Sequence, residues 1–325
     1  MKKIMSVVLT AAMIVGTMAF AGCGGAKKVS MGLGIVTEMT KATDATAEKA
    51  GAGEVDATAV AILVDAEGKV LQMKIDVAQT KPSYTADGKL GTGTDYRSKK
   101  QKGVDYGMSK TGKQEWDVQA VAFETLCVGK TVDEIKALVK DDLYGTDDVM
   151  KAGCTIKVAD FVNAAVKAFE DAKAQGATVD AAATLTLGVS TEGAHSNADA
   201  AADKDGSFEV DSTFAAVATK DGKIQKVITD VIQAKFTFDA TGKSTAKIPQ
   251  TVDTKREKKE AYGMSKTGKV EWYLQAAEWD KLCAGKTAAE VAGFVADKGY
   301  GNDEVQKAGC TITVSAFAEA VKAAK

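Results

Sequence analysis

The sequence YGMSKTGKQEW occupies residues 106–116, and YGMSKTGKVEW, which differs at one position, occupies residues 262–272. The sequence around the two stretches has diverged far more than the stretches themselves. Self-similarity of this kind is typical of a chain that contains two copies of one unit.

Further matches support the duplication. LGIVTE at 33–38 pairs with LGVSTE at 187–192, DVAQTK at 76–81 with DVIQAK at 230–235, CVGKT at 127–131 with CAGKT at 283–287, and KAGCTI at 151–156 with KAGCTI at 307–312. The repeat is too long for a solenoid unit. We therefore predict two tandem homologous domains at 29–176 and 184–325, joined by a linker at 177–183, and we expect each to fold alone.

The order of apolar patterns predicts the fold class of each copy. β-Branched or apolar runs flank DAEG at 65–68 and KDGK at 220–223, which predicts a hairpin with Gly68 or Gly222 in its turn. Helical patterns follow the hairpins. The fold class is thus α+β, with an antiparallel sheet and packed helices in each copy.

Local signals place the helices. Trp116, Ala120, Phe123 and Cys127 form one apolar stripe at helical spacing. TVDE at 131–134 and TAAE at 287–290 are typical of capping boxes. CTIKV at 154–158 and CTITV at 310–314 then predict short strands, and amphipathic helices close the copies at 159–175 and 315–325.

The N-terminus indicates export. A charged MKK, a long apolar run and AGC at 21–23 predict a lipoprotein signal peptide at 1–22. Cys23 is the predicted lipidation site, and 23–28 is the tether. A tether of this length holds the first copy within about 25 Å of its anchor, at about 3.3 Å per residue. The expected location is the outer face of the bacterial cell membrane, with the membrane as a partner through the anchor.

Composition excludes several classes of function. The chain has 42 basic and 44 acidic side chains and a formal net charge of −2, which does not suggest a nucleic-acid partner. The chain has one histidine, His195, and no CxxC, so neither a metal site nor a histidine base in each copy is expected. The basic clusters RSKKQKG at 97–103 and TKREKKE at 254–260 are read as solvated loops in preference to an anion site.

The remaining cysteines occur in equivalent positions, Cys127 with Cys154 and Cys283 with Cys310. Export permits a disulfide in each copy. The apolar surroundings favour small buried thiols instead.

The repeated stretch is the candidate site. It lies directly before a helix, so its backbone N–H groups and polar side chains could receive an anion such as phosphate. The alternative is a structural turn, in which glycines allow the tight entry and the aromatic residues pack. The candidate cofactor-binding residues are Tyr106, Ser109, Lys110, Thr111, Lys113 and Trp116, with Tyr262, Ser265, Lys266, Thr267, Lys269 and Trp272 in the second copy.

The predicted lipidated cysteine, the DxxGK hairpin, and a Ser/Thr-bearing turn before a helix together resemble the FMN-binding domain family of bacterial surface lipoproteins. In that family a threonine in a Ser-Gly-Ala-Thr turn carries FMN through its phosphate. The resemblance covers nearly the whole mature chain and places Thr111 and Thr267 near the flavinylated position, with Asp105 near the family's Asp.

The chain departs from the family motif at two points. Neither copy has the Gly-Ala before the threonine, and Ala261 replaces Asp105 in the second copy. The resemblance therefore implies that any FMN is bound non-covalently.

Two hypotheses follow. The first is a membrane-anchored surface lipoprotein whose two domains hold flavin for extracellular electron transfer. The second is a non-catalytic binding or structural lipoprotein that kept the scaffold without flavin and serves another, anionic ligand. Both describe an electron carrier or a binding protein rather than an enzyme.

Overall fold

The computed structural model describes residues 27–324, so the predicted signal peptide and Cys23 lie outside it. It confirms a mixed α+β fold built on antiparallel sheets. The elements of the first copy are β1 (Lys28–Thr43), β2 (Gly51–Val64), β3 (Val70–Thr80), β4 (Ser83–Tyr84), α1 (Lys99–Lys102), α2 (Trp116–Cys127), α3 (Val132–Lys136), α4 (Asp147–Lys151) and α5 (Ala159–Gln175).

The same order of elements recurs in the second copy. After a connecting strand β5 (Ala177–Asp180) come β6 (Thr184–Gly193), β7 (Gly206–Lys220), β8 (Lys223–Phe238), β9 (Gln250–Thr251), α6 (Lys255–Lys258), α7 (Trp272–Cys283), α8 (Ala288–Ala292), α9 (Asp303–Lys307) and α10 (Ser315–Ala323). One 3₁₀ turn, at Gly103–Tyr106 or Lys259–Tyr262, leads into the repeated stretch, and the stretch itself forms a second at Met108–Thr111 or Met264–Thr267.

The strands form two antiparallel sheets, each built on the long strands of one copy. The first has the order β3-β2-β1-β5, with β4 beside β2 and β9 beside β1, and the second has the order β6-β7-β8. The hairpins β2–β3 and β7–β8 confirm the prediction, and Gly68 and Gly222 take the positive φ values that their turns require. The segment predicted as a linker forms β5, which pairs with the start of β1.

The two sheets pack against each other through one shared apolar cluster. Side chains of β1 and β2, such as Met31 and Leu63, belong to the same cluster as Leu185, Phe214 and Phe236 of the second sheet. Polar contacts join the sheets as well, since the Gln72 amide donates to the Ala183 carbonyl and accepts from the Leu185 N–H. Whether each copy folds alone, as predicted, therefore depends on how much of this shared core a single copy can do without.

Helices cover the opposite face of each sheet and form a separate apolar cluster there. α5 lies so close to β1 that a Cβ at Gly34 would be 2.1 Å from the Ala164 carbonyl oxygen. Gly188 meets Ala320 of α10 in the same way, at 1.8 Å. The glycine of the repeated LG motif is therefore required by helix–sheet packing. The molecule has four layers, in the order helices, sheet, sheet, helices.

Most of the local predictions for the helices are confirmed. Thr131 with Glu134, and Thr287 with Glu290, form the predicted capping boxes. The predicted strands at 154–158 and 310–314 are wrong, because each segment makes only one isolated bridge, Lys157 to Tyr144 or Thr313 to Tyr300.

The cysteines within the described chain are free and buried, as their apolar surroundings favour. Burial raises the pKa of Cys127 to about 12 and of Cys154 to about 11, which leaves both thiols protonated and unreactive.

Among residues 27–324, no helix combines the length and the apolar character needed to cross a bilayer.

Candidate functional site

Each copy has a cavity at the helix-covered face of its sheet, next to the repeated stretch. The first cavity has a volume of about 420 Å³ and the second about 430 Å³. Matched residues line them: Glu38 and Glu192, Asp56 and Asp211, Thr58 and Thr213, Val77 and Val231, Lys99 and Lys255, Tyr106 and Tyr262, Met108 and Met264, Trp116 and Trp272, Ile156 and Ile312, Phe161 and Phe317. We call these the first and the second pocket.

The two pockets differ at their edges. Lys157 and Asp160 of the first pocket are replaced by Thr313 and Ala316 in the second, and Lys269 lines only the second. Lys41, Glu54 and Gln79 line only the first pocket, and Tyr300 and Thr311 line only the second, but the ten matched pairs are identical in residue type.

A cross-strand row of polar residues forms one wall of each pocket. Glu38 of β1 lies directly opposite Asp56 of β2, and Asp56 lies opposite Gln79 of β3. In the second copy Glu192, Asp211 and Gln233 form the same row. Like charges directly opposite in a sheet are destabilising, so each row contains a charge repulsion that packing alone does not require.

The glutamine of each row connects the wall to the tyrosine. Gln79 donates to the carboxylates of Glu54 and Asp56 and accepts from the Tyr106 hydroxyl. Gln233 accepts from the Tyr262 hydroxyl at 2.9 Å. The glutamine of the repeated DVxQxK motif thereby fixes the tyrosine at the pocket.

A short helix brings one lysine to each pocket. In α1, Ser98 is the N-cap, its hydroxyl donates to Asp76, and the Lys100 N–H also donates to Asp76. The Asp of DVxQxK therefore holds α1 in place and directs Lys99 to the pocket. Asp230 accepts from the N–H of Arg256 in the same way and positions α6 with Lys255.

The lysines lie over aromatic rings. The Nζ atom of Lys99 is 5.5 Å from the ring centre of Tyr106 and 5.6 Å from that of Trp116. For Lys255 the distances to Tyr262 and Trp272 are 5.2 and 5.4 Å. These are cation–π distances. The expectation that the basic clusters are wholly solvated loops is wrong for these two lysines, because the short helices turn them inward.

Burial shifts the pKa of each of these pocket groups in the direction that favours the neutral form. It lowers the pKa of Lys99 and of Lys255, against the attraction of nearby carboxylates. It raises the pKa of Asp56 and of Asp211. The pKa of Glu38 is raised by burial and then by the negative charges of Asp160 and Asp56. Partly desolvated charges of both signs thus face each cavity.

The backbone donors of the repeated turn are occupied by a carboxylate of the chain itself. The N–H groups of Met108 and Ser109 both donate to Glu115, each at 3.0 Å, and the Ser109 hydroxyl donates to it as well. Glu271 accepts from Met264 and Ser265 in the second copy. An incoming phosphate would have to displace these carboxylates.

The structure separates the candidate residues into two groups. Tyr106, Trp116, Tyr262 and Trp272 line the pockets, as does Lys269. The remaining candidates are exposed on the turn outside the pockets: Ser109, Lys110, Thr111, Lys113, Ser265, Lys266 and Thr267. The hydroxyls of Thr111 and Thr267 donate to the carbonyls of Met108 and Met264.

Sequence reasoning missed the charged residues of the pockets. Glu38 and Glu192 end the repeated LGxxTE motif, which by itself indicates only the duplication. Lys99 and Lys255 lie in clusters of several basic residues, which do not show which of them faces the pocket. Their equivalent positions in the two copies are the signal by which these residues could have been identified from the sequence.

The arrangement can hold a ligand but offers little for catalysis. The pocket carboxylates and lysine provide charge and hydrogen bonds, and the aromatic and aliphatic residues provide an apolar wall. Within the described chain, no group of three or more His, Cys, Asp or Glu side chains is arranged to hold a metal ion.

Comparison of the chain with protein-family models, with curated proteins and with solved structures finds no match.

Proposed function

We propose that the chain is an exported, lipid-anchored binding protein that holds one small ligand in each of its two pockets. The observation that carries the proposal is the identity of ten matched lining residues in two copies whose sequences have otherwise diverged. Binding without chemistry corresponds to the second hypothesis drawn from the sequence.

The energetics of the pockets support a binding role. Opposed carboxylates in a sheet and a partly desolvated lysine both lower stability unless something compensates them. Both copies keep the same unfavourable groups at the same places. Sites that trade stability for function are where such groups are expected.

A flavin is the second candidate ligand. Its support is the resemblance to the FMN-binding family, the cavity volumes, and the tyrosine and tryptophan at each pocket. Only 4% of Trp116 and of Trp272 is exposed, so little of either ring is open for stacking. On this proposal FMN is bound non-covalently and carries electrons outward from the membrane. Titration with FMN and riboflavin tests it, and absence of binding contradicts it.

The anchor is a separate proposal, motivated by AGC after the apolar run. Cells fed labelled fatty acid should incorporate label into the protein, and Cys23→Ala should abolish it. Label that persists in this variant would show that the attachment is elsewhere.

The binding proposal is tested on protein purified from its native host without added ligand. After denaturation, the released fraction is analysed by mass spectrometry and by its absorption spectrum. We expect a small molecule in a molar ratio approaching two per chain, and flavin absorption if the second candidate is correct. Protein that releases nothing, and that binds nothing in titrations with host metabolite extract, contradicts the proposal.

A further inference from the structure

The second pocket contains a positive charge without an ionic partner. Lys255 makes no ion pair and no side-chain hydrogen bond with any other residue of 27–324, and its ammonium group lies over the rings of Tyr262 and Trp272. A buried ammonium group is strongly favoured when an anion pairs with it. The cavity is where such an anion has room.

The same pocket contains one buried carboxylate oxygen without a donor. The Oδ1 atom of Asp211 is buried and has no hydrogen-bond partner. Glu192, opposite Asp211 in the sheet, is at the exposed rim and makes no ion pair or side-chain hydrogen bond within the described chain. A buried acceptor of this kind lowers stability when it stays unpaired.

The first pocket repeats this arrangement in a milder form. Lys99 lies 3.7 Å from Asp56, a long ion pair. Glu38, opposite Asp56, is half-buried and has no ion pair or side-chain hydrogen bond with the rest of 27–324. The acid side of each pocket is on the sheet, and the lysine is on the short helix above it.

A ligand that satisfies both sides must carry both charges. A phosphate or carboxylate alone would pair with the lysine and be repelled by the acid row. An amine alone would pair with the acid row and leave the lysine uncompensated. A small molecule with an ammonium group and a carboxylate group satisfies both, and its apolar part can lie along Trp272, Ile312 and Phe317 or their counterparts.

We propose that each pocket binds a small zwitterion of the amino-acid class. Its ammonium group lies at Asp56 and Glu38, or at Asp211 and Glu192, and its carboxylate lies at Lys99 or Lys255. This inference rests on the proposed binding function and specifies its ligand.

The test is binding to the full mature chain, measured by calorimetry and by thermal shift. The probes are the twenty standard amino acids and the dipeptides Gly-Leu and Leu-Gly. For the best probe, the molecules lacking one charge are then compared. If leucine is the best, these are 3-methylbutylamine and 4-methylpentanoate. We expect the zwitterion to bind at least tenfold more tightly than either.

Variants assign the charges. Lys99→Met with Lys255→Met should weaken zwitterion binding by about ten- to a hundredfold, the range for lost charge-assisted hydrogen bonds. Asp56→Asn with Asp211→Asn keeps the shape of the side chains and should weaken it similarly without lowering the melting temperature. The control is Lys151→Met with Lys307→Met, a repeated and exposed pair outside the pockets, which should leave binding unchanged.

The outcomes separate the two proposals. No binding of any zwitterion, or equal binding of the singly charged analogues, overturns the inference. Binding of FMN alone overturns it as well but leaves the binding function standing. Zwitterion binding that the Asp→Asn variants do not weaken also overturns the inference, because the ligand would then occupy another place.

Discussion

At the scale of single residues, the repeated stretch is explained by Glu115 and Glu271. Their carboxylates receive the backbone N–H groups of the turn, and hydrogen bonds from Ser109, hydroxyl and backbone, lower the pKa of Glu115. The turn folds around an anion that the chain itself supplies. This accounts for the joint retention of the turn and of the Glu before Trp116.

Replacement of Glu115 tests this account. Because its pKa is lower in the folded chain, its contribution to stability is present above the ordinary pKa of about 4.3 and is lost as the pH falls through the folded value. Glu115→Ala should lower the melting temperature at pH 7, and the difference from wild type should shrink by pH 3. Gln114→Ala, at the exposed neighbouring position, is the control. An unchanged melting temperature at pH 7 would mean that the turn forms without the carboxylate.

At the scale of elements, the short helices α1 and α6 determine the pockets, and each is held by one buried aspartate. Asp230 accepts the N–H groups of Arg256 and Val231. Arg256 in turn pairs with Asp280 of α7. Burial raises the pKa of Asp230 to about 6, more than the positive charge of Arg256 lowers it.

This shift predicts a pH dependence of stability. The ordinary pKa of aspartate is about 3.9, so the folded chain holds this proton more tightly than the unfolded chain does. The free energy of unfolding should therefore fall as the pH rises from about 4 towards 7. Thermal unfolding between pH 5 and pH 7.5 measures it. Asp230→Asn should flatten the dependence of the melting temperature on pH. The control, Asp297→Asn on an exposed turn, should leave that dependence unchanged. If Asp230→Asn and wild type show the same pH dependence, the assignment to Asp230 is wrong.

Turns and helix caps could be predicted from the sequence because the residues that determine them are neighbours in the chain. The hairpins follow from turn residues such as Gly68, and the capping boxes follow from Thr131 and Glu134. The prediction of strands at 154–158 and 310–314 was wrong because β-branched residues alone do not supply a partner strand. Strand β5 was missed because ATVD at 177–180 extends only by pairing with β1, a contact distant in sequence.

The site was only partly predictable for the same reason. Tyr106 and Trp116 lie in the repeated stretch, so the sequence draws attention to them. Glu38, Asp56 and Lys99 come from β1, β2 and α1, and only the register of the sheet and the cap of α1 bring them together. Alternating apolar residues on β1 also predict a buried face, but they do not reveal that the other sheet covers it.

At the scale of the whole molecule, the core shared by the two sheets leads us to expect that the two copies fold as one unit. Isolated 184–325 would expose the inner face of its sheet, including Phe214, Ile232 and Phe236. We expect this fragment to lack a cooperative thermal transition as a monomer, and mixing with 27–183 to restore one. Calorimetry with ultracentrifugation measures both. A monomeric fragment that melts cooperatively would show that the copies are independent domains.

The claim that the two pockets are equivalent ligand sites is tested most directly by counting ligands on the intact chain. Native mass spectrometry of the mature protein from its host should show two bound molecules of equal mass on the wild type. Asp56→Asn and Asp211→Asn should each retain one, and the double variant should retain none. A wild-type chain that carries no ligand after incubation with host extract, or a count that these substitutions do not change, would contradict the account.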